Sequence, residues 1–414
     1  MKLDREEQAM RGGHRGPARK EAIRQQMAVG RVFDAEDFVE VAHVHLMADT
    51  ESLGESGVEW LESIARLPEG ERRVRVPTVT DPRGIDFCAY RKLGQEERMA
   101  ALERRAIAAF ESMGILMTDT CINYQSVLPP VRGEHLAYGD TGSTIYANSV
   151  LGARSNFEGG PAALAAALTG RVPRYGCHLD EHRRGTHLFE VRHRPETLSD
   201  WGALGGVVGR RSGDYWSVPV LAGLEGAPTS DELKHFGAAL ASYGSVPMFH
   251  MAGVTPEAPD LASAFDGRPP PAAVSLGRED VDAFYASFGR HDDRVDVVVF
   301  AAPQLSLVEL QAVARALEGK RVHAQTALLV ATSPEIKAAA DRMGITATIE
   351  AAGGVLLRGV CFYQMYAREL GEANGWTNLL TNSAKLVNIV AGYGYRPVLA
   401  TTEACIEAAV RGRM

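Results

Sequence analysis

The last third of the chain, from residue 280 onward, alternates strand patterns with helix patterns, and this alternation constrains the fold more than any other feature. Apolar, β-branched strand patterns cover residues 295–301, 323–332 and 346–350. Helix patterns lie between them at residues 306–318 and 334–343. Strands joined by crossover helices form parallel sheets that are covered on both faces and present ligands at the carboxyl ends of their strands. The sequence therefore predicts an α/β fold with parallel sheets.

The length and the distribution of proline predict at least two subdomains. A chain of 414 residues exceeds what one hydrophobic core usually serves. Five prolines fall within residues 256–271, which is typical of a loop or linker. We expect an N-terminal α/β part over residues 1–275 and a C-terminal α/β part over residues 276–414.

Composition and charge indicate an ordinary globular protein of the cytoplasm. The chain is 45% hydrophobic and 23% charged, with a formal net charge of −8 and scattered basic residues. This balance argues against nucleic acid or an anionic membrane as partner. No apolar run approaches the length of a membrane span, and the first residues are too polar for a secretory signal. The odd number of cysteines favours reduced thiols over disulfides; they are Cys88, Cys121, Cys177, Cys361 and Cys405.

Residues 146–181 combine a polar, glycine-punctuated segment with an apolar one. The polar side chains are those of Asn148, Ser149, Arg154, Ser155, Asn156 and Glu158. Residues 161–168 are almost all Ala and Leu, with Gly170 just past them, which predicts a helix. Gly159 and Gly160 would let an anionic ligand approach the helix start closely. The segment is either a ligand-facing loop before a buried helix or a well-capped core helix.

The rest of the chain yields further local predictions. Helix is predicted over residues 4–28 with an interruption at three glycines, over 95–112 and over 231–245. Strands are predicted at 38–46, 75–80 and 247–252, and within 114–124 ending near Cys121. Short strands or turns are predicted at 188–191 and 201–208. His43 and His45 would share one face of their strand, where we expect hydrogen-bonded buried histidines rather than metal ligands.

The sequence TNSAK at residues 381–385 is a second candidate functional segment. A lysine after small polar residues at a turn can bind a carboxylate or phosphate as a point charge. A neighbouring hydroxyl can transfer a proton when its surroundings polarise it. The alternative is a capped helix that begins at Asn382 and continues through residues 386–390.

Several of these segments are similar to those of one known family. Residues 146–181, YANSVLGARSNFEGGPAALAAALTGRVPRYGCHLDE, resemble the signature segment of the aconitase X family. Similarity resumes at LKHFGAALASYGSVPMFHMAGVTPE (233–257), at TNSAK and at CIEAAVRG (405–412), and weaker similarity covers LDREEQAM (3–10) and VPTVTDPRGID (76–86). The resemblance covers essentially the whole chain. It implies an aconitase-like catalytic core of several α/β subdomains around a central cleft.

The resemblance also implies a bound iron or iron–sulfur cluster. Cys121 and Cys361 correspond to cysteine ligands of the family. Ala302 and Gln304 stand where relatives of the phosphomevalonate type have Cys and His. Two thiolates suit a two-iron cluster or a single iron, whereas they lack the third cysteine that anchors a cubane with one open iron.

Residue roles follow from the same resemblance. Asp81 and Pro82 occupy a turn that holds substrate in the family, although Asp81 replaces the usual Asn. Ser383 is expected to transfer a proton, and Lys385 to contact the anionic substrate. Substrate binding is also expected of residues in the signature segment, which are Asn148, Ser149, Arg154, Ser155 and Asn156.

The implied activity is elimination of water by a hydro-lyase. The family acts on cis-3-hydroxy-L-proline in bacteria and on mevalonate 5-phosphate in archaea. Because Ala302 replaces a cysteine, we expect the large subunit of a cis-3-hydroxy-L-proline dehydratase. The alternatives are mevalonate 5-phosphate dehydratase, another hydroxy-acid dehydratase or isomerase, and a catalytically degenerate subunit that binds a ligand or partner. The small swivel domain of the family is absent from this sequence, so a separate small subunit and a heterodimer are predicted.

Overall fold

The structure is a computed structural model that describes residues 1–289 and 293–414. It is a mixed α/β fold, as the sequence predicts. Up to residue 173 the elements are α1 (Arg5–Gly12), α2 (Pro17–Val32), β1 (Phe38–Glu40), β2 (Val44–Leu46), α3 (Thr50–Ala65), α4 (Glu69–Arg72), β3 (Thr78–Thr80), α5 (Glu97–Ser112), α6 (Asn123–Ser126), β4 (Ala137–Tyr138), α7 (Thr141–Ser149), α8 (Gly159–Thr169) and β5 (Arg171–Pro173).

The remaining elements fall into two groups. The middle of the chain forms β6 (His187–Val191), α9 (Leu198–Ser212), β7 (Pro219–Ala222), α10 (Ser230–Gly244), β8 (His250–Met251), α11 (Leu261–Ala264), β9 (Val274–Leu276) and α12 (Arg278–Ala286). The last part forms β10 (Val297–Leu305), α13 (Leu307–Leu317), β11 (Ala327–Thr332), α14 (Pro334–Arg342), α15 (Ile345–Ala351), β12 (Val355–Arg358), α16 (Ala367–Asn374), β13 (Asn378–Thr381), α17 (Ala384–Val390), β14 (Arg396–Leu399) and α18 (Thr402–Arg411).

Three of the sheets that the structure describes are parallel. Their strand orders are β3-β2-β4, β8-β7-β6-β9 and β12-β11-β10-β13-β14. The pair β1-β5 is antiparallel. Parallel sheets present ligands at the carboxyl ends of their strands. The residues at such ends include those that follow β3, β4, β10, β12 and β13.

The five-stranded sheet is buried on both faces. Every residue of β10 is buried, and alternate side chains belong to different apolar clusters. Val298 and Phe300 pack on one face with α13 and α18, while Val297 and Val299 pack on the other. The two-sided burial explains why its strands are continuously apolar, and it confirms the predicted parallel sheet.

The apolar part of residues 146–181 forms the predicted buried helix, α8. Its residues from Ala163 to Thr169 are all buried, and it packs against α2 and β2. The helix begins at Gly159 rather than at Pro161. It ends at Gly170, whose φ of 73° is a left-handed conformation that glycine adopts without strain.

Residues 201–208 were predicted to be strands or turns, but they lie within helix α9. The prediction was wrong because glycine lowers helix propensity and the run is otherwise apolar. In α9 the glycines face α10 at very close range. A Cβ added to Gly205 would lie 2.2 Å from the Phe236 carbonyl oxygen, and one added to Gly209 would lie 2.9 Å from that of Leu240. Glycine is needed here for helix packing.

Two further strand predictions fail for tertiary reasons. Residues 346–350 lie in α15, since the β-branched pair Ile345 and Ile349 is four residues apart and packs into the core as one helical face. The predicted strand 38–46 is divided into β1 and β2, which belong to different sheets.

The segment before Cys121 runs beside β3 but, among the described residues, it contributes no named strand to the sheet. Leu116 N–H donates to Thr78 O and Thr120 N–H to Thr80 O, so the segment follows β3 but spans four residues against two of the strand. Asp119 then takes a positive φ of 51°, which interrupts the ladder two residues before Cys121. The hydroxyl and β-branched residues of the segment predicted a strand, but the turn at Asp119 prevents a regular one.

In residues 1–289 and 293–414, the helices are all too short or too polar to cross a bilayer.

Candidate active site

Cys121 and Cys361, which are far apart in sequence, meet in the interior. Cys361 follows β12, and Cys121 follows the extended segment beside β3. Both are buried and lie close to each other. The neighbouring Cys361 thiol, and then burial, raise the pKa of the Cys121 thiol well above its usual value. The structure thus forms the two-sulfur pair that the resemblance implies.

Asp81 lies beside this pair at the end of β3. Its carboxylate is fully buried, with Oδ2 accepting a hydrogen bond from Gln364 Nε2 at 2.8 Å. Oδ1 has no hydrogen-bond partner and lies 3.6 Å from His45 Nε2, which itself contacts the Thr120 carbonyl. Burial, and then the nearby Asp140 charge, raise the pKa of Asp81 well above its usual value. Its neighbour Pro82 is buried in the same turn.

Lys385 is paired with Asp140 in the interior. Lys385 Nζ lies 3.0 Å from Asp140 Oδ1, and the other carboxylate oxygen caps α7 by accepting from Ser143 N–H at 2.7 Å. Burial alone would raise the pKa of Asp140, but the Lys385 charge holds it below its usual value. Burial alone would lower the pKa of Lys385, but Asp140 and the two thiols raise it. Lys385 is therefore an ammonium that faces the sulfur pair.

Ser383 is the N-cap of α17, two residues before Lys385. Its Oγ accepts a hydrogen bond from Leu386 N–H at 3.0 Å and donates to the carbonyl of Ala302. Ala302 is buried at the end of β10. The helix predicted from Asn382 is thus present and begins at Ala384. A proton-transfer role of Ser383, which stays a prediction, would use the same oxygen that caps the helix.

The polar residues of the signature segment hydrogen-bond mainly within their own region. Asn148 exchanges two hydrogen bonds with the Ser155 backbone, at 2.8 Å each, and Ser149 Oγ accepts from Phe249 N–H. Asn156 Oδ1 accepts from Cys177 N–H and Tyr215. Arg154 donates to the His178 carbonyl and pairs with Asp180 at the surface. These contacts hold the loop together, and the substrate-binding role of its residues stays a prediction.

The donor set fits two ligands of an iron centre and no more. In the part of the chain that the structure describes, no group of three or more His, Cys, Asp and Glu side chains is arranged to hold a metal ion. Ala302 offers no thiol at the third position. The site therefore does not fit a cubane held by three cysteines, whereas Cys121 and Cys361 can supply two thiolates to a smaller centre.

Sequence reasoning missed several residues of this site. Asp140 carries a detectable signal, because an aspartate directly before the helical residues 141–149 is a typical N-cap. Tyr363, whose ring centroid lies 5.8 Å from Lys385 Nζ, and Gln364 follow Cys361 without any local motif. His45 was singled out only as a buried histidine, and its position beside Asp81 depends on the pairing of β2 with β3.

Models of the three aconitase X domains match nearly the whole chain. The first domain matches residues 1–181, the second residues 185–286 and the third residues 295–411. The boundary predicted near residue 275 is not tested by these matches and stays a prediction. The matched domains define a three-domain α/β lyase.

Individual relatives and a solved structure agree with these matches. The phosphomevalonate dehydratase large subunit of Methanothermobacter thermautotrophicus is 35% identical over 94% of both chains. The cis-3-hydroxy-L-proline dehydratase of Pseudomonas aeruginosa is 34% identical over all of this chain and 70% of that one. The holo-form of Thermococcus kodakaraensis aconitase X has a TM-score of 0.86 at 29% identity and covers 99% of this chain. The chain belongs to the aconitase X family.

Proposed function

We propose that this chain is the large subunit of a hydro-lyase that dehydrates cis-3-hydroxy-L-proline. The observation that carries the choice of substrate is the two-thiol site, with Ala302 buried at the position of a third cysteine. The similarity values do not separate the two substrate types, since a phosphomevalonate enzyme and a hydroxyproline enzyme are equally similar to the chain.

The charges around the thiol pair support an amino-acid substrate over a phosphorylated one. Lys385 is already balanced by Asp140, and Asp81 adds a further carboxyl group. A phosphorylated hydroxy acid would bring at least two negative charges to a site whose lysine is already paired with a carboxylate. A zwitterionic imino acid offers a carboxylate to Lys385 and a positive nitrogen to the carboxyl groups, so its charges complement those present.

The reaction removes the Cα proton and breaks the C3–O bond, and the hydroxide leaves as water after protonation. The resulting enamine rearranges to a cyclic imine, Δ1-pyrroline-2-carboxylate. In this proposal Lys385 binds the substrate carboxylate. Ser383 would act as an alkoxide that accepts the Cα proton, and the hydroxyl proton that it has released completes the water that leaves. The hydrogen bond from Leu386 N–H to Ser383 Oγ would stabilise negative charge on that oxygen. A buried, water-poor setting strengthens both interactions.

Iron held by Cys121 and Cys361 is the proposed cofactor. When bound, iron would supply a Lewis acid for the leaving hydroxyl. Asp81 lies beside the pair with an unpartnered oxygen and is suited to orient that hydroxyl by hydrogen bonding. The proposal also includes a separate small subunit, because relatives are named as large subunits, and a cytoplasmic location, which the five unpaired cysteines favour.

The test is a comparison of two substrates with the chain co-expressed with its small subunit and purified without oxygen. We expect kcat/KM for cis-3-hydroxy-L-proline to exceed that for mevalonate 5-phosphate by at least about a hundredfold. The reverse preference would establish the mevalonate 5-phosphate alternative, which the archaeal relatives motivate. A metal-free complex that still forms the imine would refute the iron role, and no turnover of any hydroxy acid would favour a degenerate subunit.

A further inference from the structure

Gln304 joins the two segments that carry the cysteines. Its side chain is fully buried at the end of β10. Gln304 Nε2 donates to the Asp119 carbonyl and to the Val360 carbonyl, at 3.1 Å in each case. Asp119 precedes Cys121 by two residues, and Val360 directly precedes Cys361. A third carbonyl, of Thr332 on the neighbouring strand β11, lies 3.3 Å from the same nitrogen.

The backbone of Gln304 contacts one sulfur directly. Gln304 N–H donates to Cys121 Sγ at 3.3 Å. Its carbonyl, which belongs to the next peptide group, accepts from Lys234 Nζ at 3.3 Å. Lys234 is fully buried and pairs with Asp231 at 3.1 Å and with Glu309, whose other oxygen lies 2.7 Å from His235. These ion pairs hold Lys234 in position, and Lys234 in turn holds the Gln304 carbonyl.

We propose that Gln304 is a positioning residue that sets the distance between the Cys121 and Cys361 sulfurs, and that Lys234 holds it in place. One amide tied to both cysteine-bearing segments restricts their relative movement, and the peptide N–H fixes the direction of one sulfur. Residues that orient metal ligands from behind typically change metal affinity when replaced. The inference deepens the proposed function, because it concerns the same thiols.

Gln95 provides a matched control for the variant Gln304→Met. Gln95 is also a buried glutamine whose Nε2 bridges two carbonyls, those of Gly84 at 3.1 Å and Met365 at 2.9 Å. Both glutamines leave Oε1 without a partner. Methionine has a similar length and no N–H, so each variant loses a comparable set of hydrogen bonds from its side chain to backbone carbonyls. Gln95 contacts the turn after Cys361 through Met365 but is not tied to the Cys121 segment, so of the two only Gln304 joins both thiol-bearing segments.

The experiment titrates the full-length, metal-free chain with Cd²⁺ and follows thiolate-to-metal charge-transfer absorbance. Cys88→Ser is the background, because Cys88 is an exposed thiol. We expect Gln304→Met to weaken Cd²⁺ binding by at least about tenfold. Gln95→Met should change it by no more than about twofold, since Gln95 does not join the Cys121 segment to the Cys361 segment. If Gln304→Met does not fold, Gln304→Asn, which is too short to reach both carbonyls, carries the same expectation.

Three results would overturn the proposal. They are wild-type affinity in the Gln304 variants, an equal loss in Gln95→Met, and tight binding that survives Cys121→Ser. None of these measurements involves turnover. Failure of this proposal is therefore distinct from failure of the dehydratase assignment.

Discussion

Lys385 and Asp140 form a buried ion pair, with 3.0 Å between Nζ and Oδ1, that joins two parallel sheets. Asp140 follows β4 of the three-stranded sheet, and Lys385 lies in α17 after β13 of the five-stranded sheet. Cys361 follows β12 of the latter, and Asp81 follows β3 of the former. The carboxyl ends of the two sheets thus share one site, which neither could complete alone.

Replacing Lys385 by Met should damage both stability and activity. Asp140 would be left as an uncompensated buried charge, which costs about 3–5 kcal/mol of unfolding free energy. Loss of the substrate's cationic contact should lower kcat/KM by at least about a hundredfold. Urea unfolding and the dehydratase assay measure the two effects separately.

The double variant Lys385→Met/Asp140→Asn separates structure from function. Because the uncompensated charge is removed, most of the lost unfolding free energy should return. Activity should remain low, since the cation is still missing. Recovery of activity in the double variant would show that Lys385 acts only by neutralising Asp140.

Gly359, two residues before Cys361, should not tolerate a Cβ. Its φ is 68°, and a Cβ would lie 2.9 Å from that of Asp119 and 3.2 Å from Arg83. Gly359→Ala should therefore lower the unfolding free energy by about 2–3 kcal/mol, from backbone strain and steric clash together.

Gly375→Ala is the matched control for strain alone. Its φ is 67°, and a Cβ added there would have no neighbouring atom within 4 Å. We expect Gly375→Ala to lower the unfolding free energy, measured by urea unfolding, by about 1 kcal/mol. Equal costs at the two glycines would mean that residues 119 and 359 are not in close contact.

Ser383→Ala should lose both a helix cap and the proposed base. Loss of the cap costs about 1 kcal/mol of unfolding free energy. Thr401→Ala removes a comparable cap from α18, where the side chain accepts from Ala404 N–H at 3.2 Å. Ser383→Ala should be the more destabilised of the two, because it also leaves the buried Ala302 carbonyl without its donor, and only Ser383→Ala should lose activity. Similar activities would limit Ser383 to capping.

Glu103 should make stability depend on pH. Burial raises its pKa to about 7, so the folded state holds a proton that the unfolded chain releases above its own pKa of about 4.5. The folded state therefore loses relative stability as pH rises from about 4.5 to 7. Glu103→Gln should remove this loss. The unfolding free energy of the variant minus that of wild type should therefore increase by up to about 1.4 kcal/mol per pH unit in that range.

Glu97, on the same helix, provides a control of opposite sign. Hydrogen bonds from Tyr90 and then Arg91 lower its pKa to about 2. Its contribution is present above pH 4.5 and is lost as pH falls toward 2. The unfolding free energies of Glu97→Gln and wild type should therefore differ most above pH 4.5, and this difference should stay constant up to pH 7. A difference in unfolding free energy between Glu103→Gln and wild type that stays constant from pH 4.5 to 7 would contradict the assigned burial effect.

Local pattern was sufficient for the parts of the fold that local sequence determines. β10 is apolar throughout because both faces are buried, and α8 is rich in Ala and Leu. Local pattern gave wrong predictions for the elements whose secondary structure depends on tertiary contacts. The glycines of α9 are a packing surface for α10, and Ile345 and Ile349 of α15 form one buried helical face. Neither role is visible within a short window.

The site was predictable only in part for the same reason. The proximity of Cys121 and Cys361 came from the family resemblance, because nothing in their flanking residues connects them. Asp140 has the local signal of a helix cap and no signal of its ion pair with Lys385. The position of Gln304 between the two cysteine segments requires three strands to be placed together first.

The most direct test of the central claim compares imine formation from cis-3-hydroxy-L-proline by two double variants in the complex with the small subunit. Cys121→Ser/Cys361→Ser alters the proposed site, and Cys177→Ser/Cys405→Ser alters two buried cysteines of other clusters. The account predicts that the first complex forms no imine while the second retains wild-type turnover. Wild-type turnover by Cys121→Ser/Cys361→Ser would show that water is eliminated elsewhere.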